Sequence, residues 1–216
     1  MSWVTPTDHA FAGGPVFPRP SSRWAAYRMA GCWRDARQLR GAWSQFAAGA
    51  RLGEGVRLAL AARLINLDGR DRVEIGADSV IRGILRNESG GRIRIGGSVY
   101  VGDGVIVSAG EEVVIGAATL LAHGVQVFDN DSHPIDAQER ARHFRMILGL
   151  EHGGPPKIGT APVWVGERCW IGMLSMIMKG VTIGDEAIVA AGSVVATDIP
   201  PRVLAGGNPA RVIKSL

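Results

Sequence analysis

Cysteine is scarce in this chain, with two, Cys32 and Cys169, among 216 residues. Two cysteines cannot build a disulfide framework, and the expectation is a protein of the reducing cytoplasm. No apolar run approaches the roughly 20 residues of a membrane helix, so no membrane span is expected. Residues 1–20 lack the basic stretch and apolar core of a secretory leader, and none is expected. Apolar residues make up 46% and charged residues 20%, a globular composition that argues against disorder. Glycine is plentiful, at 30 residues, but shows no period of three, which excludes a collagen-like chain. Acid is missing from one region in particular. Arg19, Arg23, Arg28, Arg34, Arg37, Arg40 and Arg51 stand there against Asp35 alone, while the whole chain carries only +4. The basic character therefore belongs to the N-terminal segment, and the body is nearly neutral.

What is there in quantity is a period. Val165, Ile171, Ile177, Ile183, Val189 and Val195 follow one another at intervals of six. Ile75 and Ile81, then Ile95, Val101 and Val107, then Ile115, Leu121 and Val127 keep the same interval. With about a third of positions aliphatic, the run of six arises by chance on the order of once in a thousand. Glycine follows the aliphatic residue at 76, 96, 102, 116, 166, 172 and 184. Four residues after it come Ser79, Val99, Val105, Thr119, Val125, Cys169, Ser175, Val181, Ala187 and Ser193, all small or β-branched. An amphipathic helix would need spacings of three and four, and that reading fails. The pattern fits a triangular coil of three short parallel strands per turn. The aliphatic side chain points into a narrow core, the glycine relaxes the corner, and the small residue fits beside it. Stacked coils bury what one coil cannot.

Two segments break the period. Pro15–Pro20 reads as an extended lead-in, and Ser22–Gly49 as a helix in which Trp24, Tyr27, Trp33, Trp43 and Phe46 alternate with arginines. Such a helix has two compatible readings, a cap over the open end of the coil and an anchor on an anionic membrane surface. The other break, residues 128–162, is a long excursion holding three of the five histidines; a loop of that length in a compact domain is usually functional. His133 falls six residues after Val127, where the next inward aliphatic is due. Burying an imidazole in an aliphatic core is costly, so the ring is expected at a corner. There it could take a proton from an alcohol or amine, or be an ordinary loop residue among turn-forming Asp, Asn and Ser. Asp129 or Asp131 could orient it. Cys169 reads as a packed core thiol, His123 as a solvated corner residue, and Trp164 and Trp170 as outward-facing. His143 and His152 lack a carboxylate at ligand spacing, so no metal site is expected.

The strings that follow carry more than a period. They are His133-Pro134, Val163 to Gly172, Val181 to Asp185, Ala191 to Val195, Asp198 to Pro201 and Ala205 to Lys214. Together they make residues 70–216 resemble the hexapeptide-repeat acyltransferases, specifically the sugar O-acetyltransferases of the galactoside and maltose type. Asp129 to His133 and Met173 look nearest the branch that decorates surface polysaccharides. The resemblance implies an all-β, left-handed parallel β-helix over residues 51–216, with the excursion at 128–162 and residues 1–50 as lead-in and basic helix. It implies a homotrimer with acetyl-CoA as co-substrate and no metal; the cytoplasm is expected from the scarce cysteine, and contact with the inner membrane face is one reading of the basic aromatic helix. His133 would be the general base on a sugar hydroxyl in polysaccharide biosynthesis; N-acetylation of a nucleotide-linked amino sugar is the alternative.

Further roles carry over by position. The main-chain N–H of Met173 would steady the oxyanion, and Ala191 would lie along the pantetheine arm. Ala196 replaces a threonine common in the family, with Thr197 beside it, and Arg211 and Lys214 would meet the nucleotide phosphates. The acceptor-binding residues of the galactoside enzymes have no counterparts between Gly102 and Gly110. Asp129, Asn130 and Asp131 are the local candidates for the acceptor, although turn geometry alone also accounts for them. A non-catalytic β-helix is the rival reading from another class, an antibiotic-inactivating acetyltransferase is a further option, and no nucleic-acid motif accompanies the arginines.

Overall fold

The computed structural model describes residues 16–18, 33–87 and 90–216. Its strands form three sheets, of nine, six and six strands among the described residues. Within the coils successive strands fall on successive sheets, and each interior strand pairs in parallel with the strand one coil earlier and the one a coil later. The architecture is a left-handed parallel β-helix.

The six-residue period becomes three buried columns. Leu58, Ile81, Val101, Leu121, Ile171, Val189 and Ala205 stack in register on the nine-stranded sheet. Leu64, Leu85, Val107, Val127, Ile177 and Val195 stack on the second sheet. Leu52, Ile75, Ile95, Ile115, Val165 and Ile183 stack on the third. Columns of like side chains let every coil bury its aliphatics against the next, which a single coil cannot do. The small inward positions, Thr119, Cys169, Ser175 and Ser193 among them, are buried as expected.

The glycine after the inward aliphatic serves a different purpose from the one expected. The left-handed corner residue lies two positions further on: Asp78, Ser98, Ala118, Arg168, Leu174 and Glu186 all have φ between 54° and 61°. Gly76 and Gly116 are required instead by close approach of the next coil. A Cβ on either would sit 2.5 Å from a backbone carbon of the coil above. The period therefore records how tightly coils stack, more than how the corner bends.

Helix α1, Trp33–Gly49, covers the first coil. Its apolar positions Leu39, Ala42, Trp43 and Phe46 recur at helical spacing and join the same core as Leu58 and Leu64, while Arg37 and Arg40 face outward. Residues 22–32 of the expected helix lie outside the described residues. The strand Val16–Pro18 pairs antiparallel with Arg57–Ala59, an extended lead-in closing that sheet's edge. At the other end Ala210–Ser215 folds back antiparallel on Val203–Gly207.

Candidate active site

The chain leaves the coil after the strand Gln126–Phe128 and returns at Val163–Val165. The neck of the excursion is tied shut by polar contacts. Asp131 N–H donates to the Gly159 carbonyl at 3.0 Å and Ala161 N–H to the Asp129 carbonyl at 2.8 Å. Lys179 Nζ pairs with Asp131 Oδ2 at 2.6 Å. Asp129 is fully buried, and its two carboxylate oxygens accept from the amides of Gly110 and Glu111 at 2.6 and 2.7 Å. The fit at Gly110 is close: a Cβ there would lie 3.1 Å from the Thr160 methyl, which would have to give by a few tenths of an ångström.

Beyond the neck, Ser132 N–H donates to Asn130 Oδ1 at 3.0 Å, and Ser132 takes a left-handed φ of 60°. This turn presents the His133 ring, with its backbone amide donating to the Asp131 carbonyl at 2.6 Å. The chain then forms helix α2, Ala137–Ile147, whose first amides are capped by Asp136 accepting from Gln138 and Glu139 at 3.0 Å. The helix buries none of its residues. Arg142 and Arg145 instead pair with Glu151 at 3.2 and 2.8 Å, and the Arg145 hydrogen bond above all holds the exposed Glu151 carboxyl below its ordinary range.

Between the outer face of the second sheet and this excursion lies a cavity of about 790 Å³. Arg86 and Ser108 line it from the coils, Asn130 and Thr160 from the neck, and His133 and His143 from the excursion. His133 Nδ1 lies 3.3 Å from His143 Nδ1, with the rings tilted by 52°. The neighbours expected to bias the His133 ring are engaged elsewhere. Asp129 is turned inward to backbone amides and Asp131 is held by Lys179, so of the three candidates for the acceptor only Asn130 reaches the cavity wall.

The residues singled out for the co-substrate lie apart from the cavity. Met173 and Ala191 occupy the corner between the nine-stranded sheet and the second sheet, joined by Gly192 N–H donating to the Met173 carbonyl at 2.8 Å. Ala196 and Thr197 lie on the next corner, the one from which the excursion springs two coils earlier. Arg211 and Lys214 are exposed on the closing strand. The Met173 corner also carries a polar column that sequence reasoning missed. Arg82, 6% exposed, pairs with Asp103 at 2.9 Å, and His123 Nδ1 stands 3.7 Å from the same carboxylate. Burial pushes the nearby Tyr100 hydroxyl up, against the lowering pull of Arg82 and with a smaller push from Asp103. Each of these corner residues follows an inward aliphatic by one or two positions, a signal the period contains once corners are numbered. Helix α2 was legible too, in Asp136 ahead of a run rich in Ala, Gln, Glu and Arg. Cys169 is a buried free thiol whose pKa burial raises, as a core position requires. Trp164 and Trp170 face outward. Among the described residues no three His, Cys, Asp or Glu gather as a metal site.

Residues 162–197 match the family described as bacterial transferase hexapeptide (six repeats). The Escherichia coli (strain K12) protein WcaF, whose name assigns it to colanic acid biosynthesis as an acetyltransferase, is 30% identical over 141 residues, 65% of this chain and 68% of WcaF. The chain belongs to the bacterial transferase hexapeptide family. The galactoside O-acetyltransferase of the same organism is 33% identical over 127 residues, 59% of this chain and 56% of that enzyme. The chain thus spans little more than half the length of the galactoside enzyme. The crystal structure of the polySia-specific acetyltransferase NeuO superposes with a TM-score of 0.60 at 24% identity, covering 77% of this chain and 66% of NeuO, a likeness of fold.

Proposed function

We propose that this protein transfers an acetyl group from acetyl-CoA to a sugar hydroxyl, with His133 as general base. The observation that carries the reading is the position of His133 in the wall of a cavity of about 790 Å³ where the excursion meets the coils. The chemistry needs a base within reach of the hydroxyl, a donor for the oxyanion, and exclusion of bulk water. As the hydroxyl oxygen attacks the thioester carbonyl, the His133 ring takes its proton. The tetrahedral oxyanion then collapses, the C–S bond breaks, and the departing thiolate recovers that proton.

The Met173 N–H is the proposed oxyanion donor; no acceptor among the described residues takes it. Ala191, Ala196 and Thr197 present small exposed surfaces for the pantetheine arm, and the exposed Arg211 and Lys214 suit the nucleotide phosphates. Because Met173 and the cavity sit on different corners of one chain, the complete site is assigned to neighbouring subunits of a homotrimer. The exposed Leu120, Trp164, Trp170, Leu174 and Met176 supply apolar surface for that contact. No described helix is long and apolar enough to cross a membrane. The reading places this activity in surface-polysaccharide synthesis in the cytoplasm, at or near the inner membrane face; the name of WcaF, which assigns that relative to colanic acid biosynthesis, supports the polysaccharide part.

The test is release of CoA thiol from acetyl-CoA with a panel of sugars and amino sugars. A sugar hydroxyl acceptor should stimulate release, and His133→Ala should lower the rate by about 10²–10⁴ while CoA still binds. Stimulation by amino sugars alone would move the reading to N-acetylation. Equal rates with and without His133 would remove the base.

A further inference from the structure

We infer that His143 is a positioning residue that fixes the proton on His133, keeping that ring in the one tautomer able to act as a base. The inference rests on the reading of His133 as the base. Its ground is the 3.3 Å hydrogen bond between the two Nδ1 atoms. A hydrogen bond between two imidazole nitrogens holds a single proton, so only two neutral arrangements exist. If His143 donates, the His133 proton must sit on Nε2, and no lone pair remains there. If His133 donates, its Nε2 is bare and His143 carries its own proton on its Nε2.

Catalysis selects the second arrangement. When His133 Nε2 takes the hydroxyl proton, the ring becomes an imidazolium whose Nδ1–H is a stronger donor, and the lone pair on His143 Nδ1 receives it. As the C–S bond breaks, His133 Nε2 returns its proton to the thiolate, and His143 keeps its Nε2 proton throughout. This is the task a buried carboxylate performs for the histidine of a serine protease. Here the carboxylates near at hand are committed, Asp129 to the amides of Gly110 and Glu111 and Asp131 to Lys179. The anchoring of α2 fits this task. Next to His143 in sequence, Arg142 is held by Glu139 and Glu151, each at 3.2 Å, and Asp136 caps the helix start, so the turn of helix that carries His143 is braced internally although it buries no residue.

Three variants separate this role from a structural one. His143→Gln offers an amide oxygen that accepts from Nδ1–H; His143→Ala offers nothing; His143→Lys offers only donors and would invert the tautomer. We expect His143→Ala to lower kcat roughly 10- to 100-fold with KM nearly unchanged, and His143→Gln to recover most of that loss. His143→Lys should fall as far as His133→Ala. The ¹⁵N shifts of the His133 ring should report Nδ1–H in the wild type and His143→Gln, and Nε2–H in His143→Lys. Equal kcat in all three variants, or one unchanged His133 tautomer across them, would overturn the inference. If no acceptor stimulates the wild type, the transferase reading fails by itself, and the ring shifts still decide where the proton lies.

Discussion

The coils of residues 163–207 and the excursion of residues 129–162 are joined by a few polar contacts and held by opposite means. In the coils every sixth side chain is buried in a column, and backbones approach so closely that Gly172 and Gly184 leave no room for a Cβ. In the excursion α2 buries nothing, and its fixed points are a capped start, one glutamate shared by two arginines, and the Asp131–Lys179 pair. The coil resists unfolding through burial, the excursion through directed hydrogen bonds. Histidines that must keep one relative orientation sit where directed bonds dominate, and the rigid coil supplies the wall opposite them.

That contrast can be broken at its strong end first. Ile171→Ala should cost about 2–5 kcal/mol in chemical denaturation, because a fully buried column member leaves a cavity between stacked coils. Activity per folded molecule should stay near that of the wild type. A loss of activity without a loss of stability would show that coils and site are not separable.

Asp129→Ala acts at the joint between the regions. It leaves the Gly110 and Glu111 amides without their acceptor and should cost about 1–3 kcal/mol. It should also loosen the excursion, seen as faster amide exchange through residues 129–161 than in the coils.

The smallest effect belongs to Glu151. Its carboxyl is held low by Arg145 first and Arg142 next, so the tether to α2 is intact above the ordinary glutamate range and is lost as pH falls through the lowered folded value. Acidification below about pH 4.3 should therefore lower the protection of the α2 amides, measured against the intrinsic exchange rate at each pH, while the global melting temperature changes no more than in Glu151→Gln. A global melting shift specific to the wild type would mean the tether supports the coil as well.

How far the fold could be read in advance follows from the same contrast. Ile171 and its column mates announce themselves because a parallel β-helix repeats one local environment, and a repeated environment selects a repeated residue. His133 was legible by the same rule, as the place where an aliphatic is due and an imidazole stands. The glycines were legible in position and misread in purpose: the chain marks where coils touch, and only stacking shows that Gly76 meets the next backbone while Asp78 turns the corner. The excursion has no period, so its side chains were open to several readings. Asp129 could have faced an acceptor, yet it satisfies two amides 18 and 19 residues earlier in the chain.

By itself the sequence determined the coil, its three-sided core, the point where the chain leaves it and the histidine at that point. Each of these depends on contacts that recur at a fixed interval. The tertiary structure alone decided that His143 on α2 meets the ring of His133 in the loop before it, that Lys179 claims Asp131 from 48 residues away, and that Met173 stands on a different corner from the cavity. Those placements come from unique long-range contacts, and a contact made once leaves no period to read.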